Sequence, residues 1–307
     1  MSVNAPRSID EYLKQLRSAL SGEDAALIQD ALYDAEEYLR AEVAAHPERS
    51  EADVLELIAS TYGAPEEVAA AYRDTEAKVK AALKTPAPPV AAQASGVGRF
   101  FGVFMDARAY TSLFYMLLTL ATGIVYFTFV VTGLALSAGL AVLVIGIPFF
   151  LAFIGMARVL ALGEGRLLEA TTGERMPRRP VHPGPSASWL TRIGDMLKDA
   201  RTWTTLLYLL LMLPLGIIYF TIAVTGLALG LRLAFAPLVL LVGDLGLLPV
   251  DRGMIQIGGF SYGSPQSVVA ALLCMALGIV ILALILHAAR GIARGHARLA
   301  KSLLVTP

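Results

Sequence analysis

The side chains best suited to chemistry are few in this sequence, and they are scattered. The four histidines are isolated from carboxylates and cysteines at the spacing of a metal site; they are His46, His182, His287 and His296. The single cysteine, Cys274, lies in an apolar run. No Ser-His-Asp pattern, phosphate-binding loop or dinucleotide fingerprint occurs. We therefore expect no catalytic residue, no metal, no cofactor and no enzymatic activity.

Hydroxyl side chains recur in the apolar part at an interval of 93 residues. The repeated residues are Tyr115, Tyr126, Thr128 and Thr132, which return as Tyr208, Tyr219, Thr221 and Thr225. They could form a polar seam that binds a ligand. They could equally make hydrogen bonds between helices and anchor them at the membrane surface, and we favour this second interpretation.

Composition separates the chain into two parts. The sequence is 56% hydrophobic and only 16% charged, which is typical of a protein with membrane spans. Residues 1–83 carry 17 acidic and 8 basic residues, a net charge of −9, so the rest carries +9. Such asymmetry predicts two regions in different surroundings, with membrane lipids as one partner and no direct binding to nucleic acid.

The apolar part is a duplicated hairpin of helices. The stretch DARAYTSLFYMLLTLATGIVYFTFVVTGLAL at 106–136 returns as DARTWTTLLYLLLMLPLGIIYFTIAVTGLAL at 199–229. We predict two spans in residues 106–175, a cytoplasmic loop at 176–198, and two further spans in residues 199–307. The second copy carries an insertion near 233–267. The predicted fold is all-α, with a four-helix transmembrane domain behind a small helical bundle.

Basic residues near the span ends predict the orientation. They cluster on one side, whereas the other side has only Arg232 and Arg252. Both termini and the 163–201 loop are therefore expected in the cytoplasm of a bacterium, with the protein in its inner membrane. Because each copy has two spans, both copies should enter from the same side as parallel repeats.

Three groups of residues are candidate sites in the membrane part. Small residues that allow close helix packing, within the chain or in a homo-oligomer, are Gly133, Ser137, Gly226 and Gly230. Charged residues that start the first and third spans, or pair locally, are Asp106, Arg108, Asp199 and Arg201. The outward-facing insertion is either a sensing surface or a plain connector, and its candidate residues are Asp244, Asp251, Arg252, Phe260 and Tyr262.

Residues 1–83 have the apolar period of four amphipathic helices, which predicts an acidic cytoplasmic bundle. Ser50 is expected to cap the third helix, and Gly63 to end it in a left-handed conformation. Residues 84–105 then form a proline- and alanine-rich linker followed by a juxtamembrane segment at the membrane interface.

Both parts resemble known bacterial families. Tyr12-Leu13-x-x-Leu16 and the run YGAPEEVA at 62–69 resemble the HAAS-type helical signalling domain. The repeated half is similar to the sensor domain found beside histidine kinases, on DARTW at 199–203, LPLG at 213–216 and TGLAL at 225–229. This resemblance implies a sensor whose cytoplasmic partner is a regulator or kinase.

Taken together, the sequence predicts a non-enzymatic membrane sensor that passes a signal to a cytoplasmic partner. A structural scaffold is the main alternative. A small channel or transporter is a weaker one, because the predicted spans hold no Asp, Glu or Lys at depth. The acidic bundle is expected to dock on the basic face of its own membrane half, or on a basic partner.

Overall fold

The computed structural model describes residues 5–83, 96–141, 143, 145–177, 198–238 and 265–305. These residues are helical with short turns, and no strand occurs among them. Two compact units are present. Unit 1 contains Met1–Pro88, Phe129–Leu209 and Ala297–Pro307, and unit 2 contains Pro89–Thr128 and Leu210–His296.

The N-terminal region of unit 1 is a bundle of four helices, here called the acidic helices. They are α1 (Ile9–Ala19), α2 (Ala25–Ala45), α3 (Glu51–Thr61) and α4 (Pro65–Leu83). Their apolar stripes meet in one core that contains Tyr12, Leu16, Leu39 and Ile58, all buried. α1 and α3, of 11 residues each, are too short to be stable alone, so this shared core holds them.

The helix ends follow the sequence closely. Ser50 accepts a hydrogen bond from the Asp53 amide (3.3 Å) at the start of α3. Gly63 has φ +107, the left-handed conformation expected after α3. The Ala64 side chain cannot accept a hydrogen bond and so cannot cap α4. The Glu67 carboxylate instead accepts from the Ala64 amide at 3.1 Å. Tyr12 donates to the Gly63 carbonyl (2.8 Å), which ties α1 to this turn.

Four helices are long and apolar enough to cross a membrane, as predicted. They are α6 (Ala107–Leu140), α7 (Gly146–Thr172), α8 (Ala200–Ala234) and α9 (Pro265–Leu304, apolar from Val268). A short helix α5 (Gly96–Phe101) and a 3-10 turn (Gly102–Met105) precede α6. The all-α fold class is therefore confirmed. α7 continues beyond the apolar run, and Glu164 within it is buried.

Glycines set how closely the long helices approach. In unit 2, a Cβ atom on Gly123 would lie 2.6 Å from the Met212 carbonyl oxygen, and one on Gly216 would lie 2.6 Å from that of Thr119. These contacts are with backbone, which cannot move aside as a flexible side chain can. α6 and α8 therefore touch at a point where any side chain would separate them.

The packing glycines predicted from the sequence face the second helix of their own copy. A Cβ atom on Gly133 would clash with the Phe153 ring of α7 in unit 1. In unit 2, Gly226 and Gly230 of α8 lie against Ile285 and Leu282 of α9. Ser137 is buried, and its hydroxyl has no hydrogen-bond partner within the described part of the chain.

Helix directions in unit 2 differ from the predicted parallel arrangement of the copies. α6 and α9 run the same way, since Asp106 pairs with Arg290 (3.0 Å) and, farther along both helices, Tyr115 contacts His296 (ring centroids 5.5 Å). α8 runs opposite to α9, as the glycine contacts above show. α6 and α8 are thus antiparallel here. The charge rule behind the prediction counts residues at span ends and carries no information about contacts between helices.

Candidate functional site: the ionic junction of unit 1

A buried arginine joins the acidic helices to the end of α7. Arg175 pairs with Asp30 of α2 at 3.0 Å and with Glu76 of α4. Both carboxylates are almost fully buried, with 5% of Asp30 and 7% of Glu76 exposed. One guanidinium thus neutralises two acidic groups from two helices, in a geometry that suits its planar, multiply donating head.

The chain is bent to bring Arg175 to this place. Gly173 ends α7 with φ +75, and its amide donates to the Glu169 carbonyl (2.9 Å). The chain then turns back along the helix, and Met176 is buried beside Gly165, where a Cβ would be 3.4 Å away. Arg175 therefore projects from a short, well-packed turn.

Two weaker polar contacts surround this pair. Lys301 near the end of α9 pairs with Asp24 at 2.5 Å, and Arg201 at the start of α8 donates to the Gln29 side chain at 2.6 Å. Arg201 also donates to the Leu304 carbonyl at 3.1 Å. We call this set the ionic junction; its members are Asp24, Gln29, Asp30, Glu76, Arg175, Arg201 and Lys301. The docking expected from the charge asymmetry is thus observed within unit 1.

A neighbouring tyrosine, Tyr72, stabilises the packing of α2 and α4 beside the junction. Tyr72, one turn before Glu76, donates to the Asp34 carboxylate of α2 at 3.0 Å. Burial first, and then the nearby Asp34 charge, raises the pKa of Tyr72 well above its ordinary value. Tyr72 therefore stays protonated and holds α2 against α4.

Burial decides which of these contacts matters most. Removing one partner of a buried pair leaves a charge without compensation and costs about 3–5 kcal/mol, whereas exposed pairs are worth about 0–1 kcal/mol. Only the Arg175 cluster is buried to that degree; Lys301 and Asp24 keep about a quarter of their side chains exposed, at 26% and 23%. The junction has a strong centre and a weak rim.

Each predicted juxtamembrane aspartate starts a helix and also pairs with an arginine distant in sequence. The Asp106 carboxylate accepts from the Arg108 amide at 3.0 Å, and Asp199 does the same for Arg201. In unit 2, Asp106 pairs with Arg290 (3.0 Å). In unit 1, Asp199 pairs with Arg158 (3.3 Å). The two aspartates are equivalent positions of the repeat, and so are the two arginines.

Part of the repeated hydroxyl seam meets a buried histidine in unit 2. The Tyr219 hydroxyl lies 3.3 Å from His296 Nδ1, and the Tyr115 ring lies 5.5 Å from the imidazole. This arrangement matches the favoured interpretation of helix-to-helix hydrogen bonding. The equivalent of His296 in the first copy is Glu164, which is also buried. The two equivalent positions are both buried, but one carries an imidazole and the other a carboxyl group.

The predicted sensing loop is the remaining candidate site. The sensing-loop candidates lie outside the described residues: Asp244, Asp251, Arg252, Phe260 and Tyr262. Within the described ranges, no three His, Cys, Asp or Glu side chains are grouped as a metal site would require.

Sequence reasoning missed Asp30, Glu76 and Arg175 as a group. A signal for two of them was available. Asp30 stands next to the buried Ala31, and Glu76 follows the Tyr72 position by one helical turn. A charge in register with an apolar stripe indicates a buried partner, because a lone buried charge is too costly. Nothing local pointed to Arg175, which is 99 residues from Glu76.

Comparison with known proteins gives one match. A family model described as “Sensor: Putative sensor” matches residues 115–304, more than half of the chain. No curated protein and no solved structure matches the chain significantly. The matched residues include the four long helices almost entirely and leave the acidic helices outside.

Proposed function

Because this chain belongs to the sensor family matched by its residues 115–304, we propose that it is a non-enzymatic membrane sensor whose acidic helices are the output. The observation that carries this proposal is the burial of Asp30 and Glu76 by Arg175. A stimulus that changes the packing of the spans moves the turn at Gly173–Met176, and with it the arginine. The face of α2 and α4 is then free for another basic surface.

The proposed partner is a cytoplasmic regulator or kinase with a basic docking surface. The net charge of −9 on residues 1–83 supports this choice. The HAAS-like sequence of residues 62–69 supports it too. A partner that replaces Arg175 must bring its own cation to the two carboxylates, because removing one member of a buried ion pair costs several kcal/mol.

Hydrogen exchange of the full-length protein in nanodiscs tests the output role. Arg175→Ala should speed exchange in α2 and α4, because the two carboxylates lose their cation. Arg166→Ala is the matched control, since Arg166 is an exposed arginine on α7, the helix that ends just before Arg175. Equal exchange in the two variants would contradict the proposal.

A neutral background separates loss of the ionic contact from general unfolding. Asp30→Asn with Glu76→Gln keeps the shapes and removes the charges. Adding Arg175→Ala to that background should then have little further effect on exchange. If Arg175→Ala speeds exchange as much in this background as in the parent, Arg175 acts by packing alone. The proposed release of the acidic helices would then be wrong.

We further propose that the protein lies in the bacterial inner membrane with both termini in the cytoplasm. The positive-inside rule supports this orientation, as does the presence of the acidic helices, Arg175 and Lys301 in one unit. In a Cys274→Ala background, Gly139→Cys should react with an impermeant thiol reagent added outside, and Gly173→Cys should not. The opposite pattern would overturn the orientation.

The same labelling tests the direction of α6. If the charges at the span ends set the orientation, α6 and α8 enter the membrane from the same side, and Met105→Cys should be protected like Gly173→Cys. If the antiparallel contact of α6 and α8 sets it, Met105→Cys should react from outside. Met105 is 86% exposed, so its reactivity depends on the side of the membrane and not on burial.

A further inference from the structure

The juxtamembrane segment 96–105 has one face attached to the protein and one face open. On the attached face, Val103 is buried, and Phe100 and Phe104 pack with it against α9. The His287 ring stacks on Phe100 (5.2 Å), and its Nε2 lies 3.0 Å from the Phe100 carbonyl oxygen. The segment is therefore held in a fixed position on unit 2.

The open face is apolar. Val97, Phe101 and Met105 are spaced by four residues and are 67%, 36% and 86% exposed. Arg99, between the first two, is exposed as well. Exposing three large apolar side chains in a row to water is unfavourable, and it is typical of a surface that contacts something else.

We propose that this open face is a docking surface for the anionic membrane interface, with the apolar side chains in the acyl boundary and Arg99 on lipid phosphates. Continuity supports a lipid occupant: α6, a membrane-capable helix, begins at Ala107, two residues after the segment ends. Apolar side chains beside a cation form the pattern of interfacial segments, and an anionic lipid surface attracts a nearby cation.

The attachment to α9 gives this surface a consequence. Because Phe100 and Val103 are packed on the helix that carries His287 and Arg290, the segment cannot change its depth without that contact moving too. The anchor therefore links the depth and charge of the lipid interface to α9. This proposal is independent of the output role given to the acidic helices.

Spin-label depth measurements on the full-length protein test the anchor. Nitroxides are placed one at a time at Val97, Phe101 and Met105 in a Cys274→Ala background. The vesicles are phosphatidylcholine with about 30% phosphatidylglycerol, an anionic surface. All three labels should be open to oxygen and several-fold less open to nickel-EDDA than a label at Glu56, an exposed position of α3.

Two results would overturn the proposal. Nickel-EDDA access equal to that at Glu56 would place the face in water. Low access to both oxygen and nickel-EDDA would place it under protein, either another segment or a second copy of the chain. A label at Val103, buried on the opposite face, shows what protein coverage looks like.

Charge is tested separately with Arg99→Glu. The Phe101 label should become shallower in the anionic vesicles and stay unchanged in pure phosphatidylcholine. If the Phe101 label had the same depth with and without the substitution in anionic vesicles, Arg99 would not contact lipid phosphates, and the surface would not recognise charge. Thermal unfolding of the variant checks that it is folded like the parent.

Discussion

The acidic helices and the juxtamembrane segment 96–105 are attached to the rest of the chain in two different ways. The acidic helices are held by the ionic junction, whose centre is Arg175 between Asp30 and Glu76. The juxtamembrane segment is held by apolar contacts around Val103, with Asp106–Arg290 as its ion pair. α9 takes part in both, through Lys301 in unit 1 and through Leu286 and Ala289 in unit 2.

The two attachments suit different tasks. Apolar contact is non-directional and is lost only when the whole surface separates. A buried ion pair needs correct geometry, and it fails sharply when one partner moves, because the remaining charge is left without compensation. This contrast supports the proposal that the acidic helices are the part that is released, while the juxtamembrane segment stays attached.

The strongest test removes the centre of the ionic junction. Arg175→Ala should reduce the free energy that holds the acidic helices by about 3–5 kcal/mol, since two buried carboxylates lose their cation. Exchange at residues 96–105 should not change. The free energy follows from protection factors of slow amides in α2 and α4. A loss below about 0.5 kcal/mol, the range of ordinary surface substitutions, would show that the junction holds nothing.

The apolar attachment is tested at Val103. Val103→Ala should cost about 1–3 kcal/mol at the juxtamembrane segment, because two buried methyl groups are lost and a small cavity remains. Raising the salt concentration should not change this cost, since the Val103 contact itself involves no charge. Val97→Ala on the open face is the matched control. Loosened acidic helices in the Val103 variant would contradict the division into two attachments.

Alkaline pH should affect the acidic helices and spare the juxtamembrane segment. The pKa of Tyr72 is raised in the folded state, so the folded protein keeps a proton that the unfolded chain loses above about pH 10. The contribution of Tyr72 to stability is then complete below that pH, and it falls by about 1.4 kcal/mol per pH unit above it. Tyr72→Phe should make the fall shallower.

A urea titration at several pH values measures this effect. A fluorophore on Glu56→Cys reports on the acidic helices, and one on Val97→Cys reports on the juxtamembrane segment. Tyr12 and Tyr62, whose pKa values burial also raises, account for the part of the fall that remains in the Tyr72 variant. An identical pH response of the two fluorophores would show that the regions unfold together.

The smallest effect is expected at the rim of the junction. Lys301→Ala should weaken the attachment of the acidic helices by less than about 1 kcal/mol, because the pair with Asp24 is partly exposed and screened. High salt should reproduce that loss in the parent and add nothing in the variant. The measurement is the cross-linking yield between residues 23–80 and residues 163–201, at low and high salt. A variant that keeps the full salt response would place the screened contact at another residue.

Local features of the fold were predictable from sequence. The left-handed Gly63, the Ser50 cap and the four apolar helices depend on residues close together in the chain, and each is present. The paired carboxylates at Asp30 and Glu76 were not predicted, because their partner Arg175 is distant in sequence. Helix direction in unit 2 was missed for a similar reason, since it depends on contacts such as Asp106–Arg290.

The crossing of α6 and α8 has a reciprocal form. Gly123 meets Met212 and Leu213, while Gly216 meets Thr119 and Leu120. With the repeat interval of 93 residues, each glycine meets the equivalents of the residues met by the other. Contacts of this kind define an isologous interface, the type found in two-fold homodimers.

A single hairpin with these residues therefore has the contacts needed to pair with a second copy of itself. In such a homodimer, every mutation at the crossing appears twice. Within one chain the two sides of the crossing are separate residues, and the copies already differ there, with Ala121 in α6 at the position equivalent to Pro214 in α8. Two hairpins produced as separate chains, cut within residues 176–198, should still find each other in the membrane through this crossing.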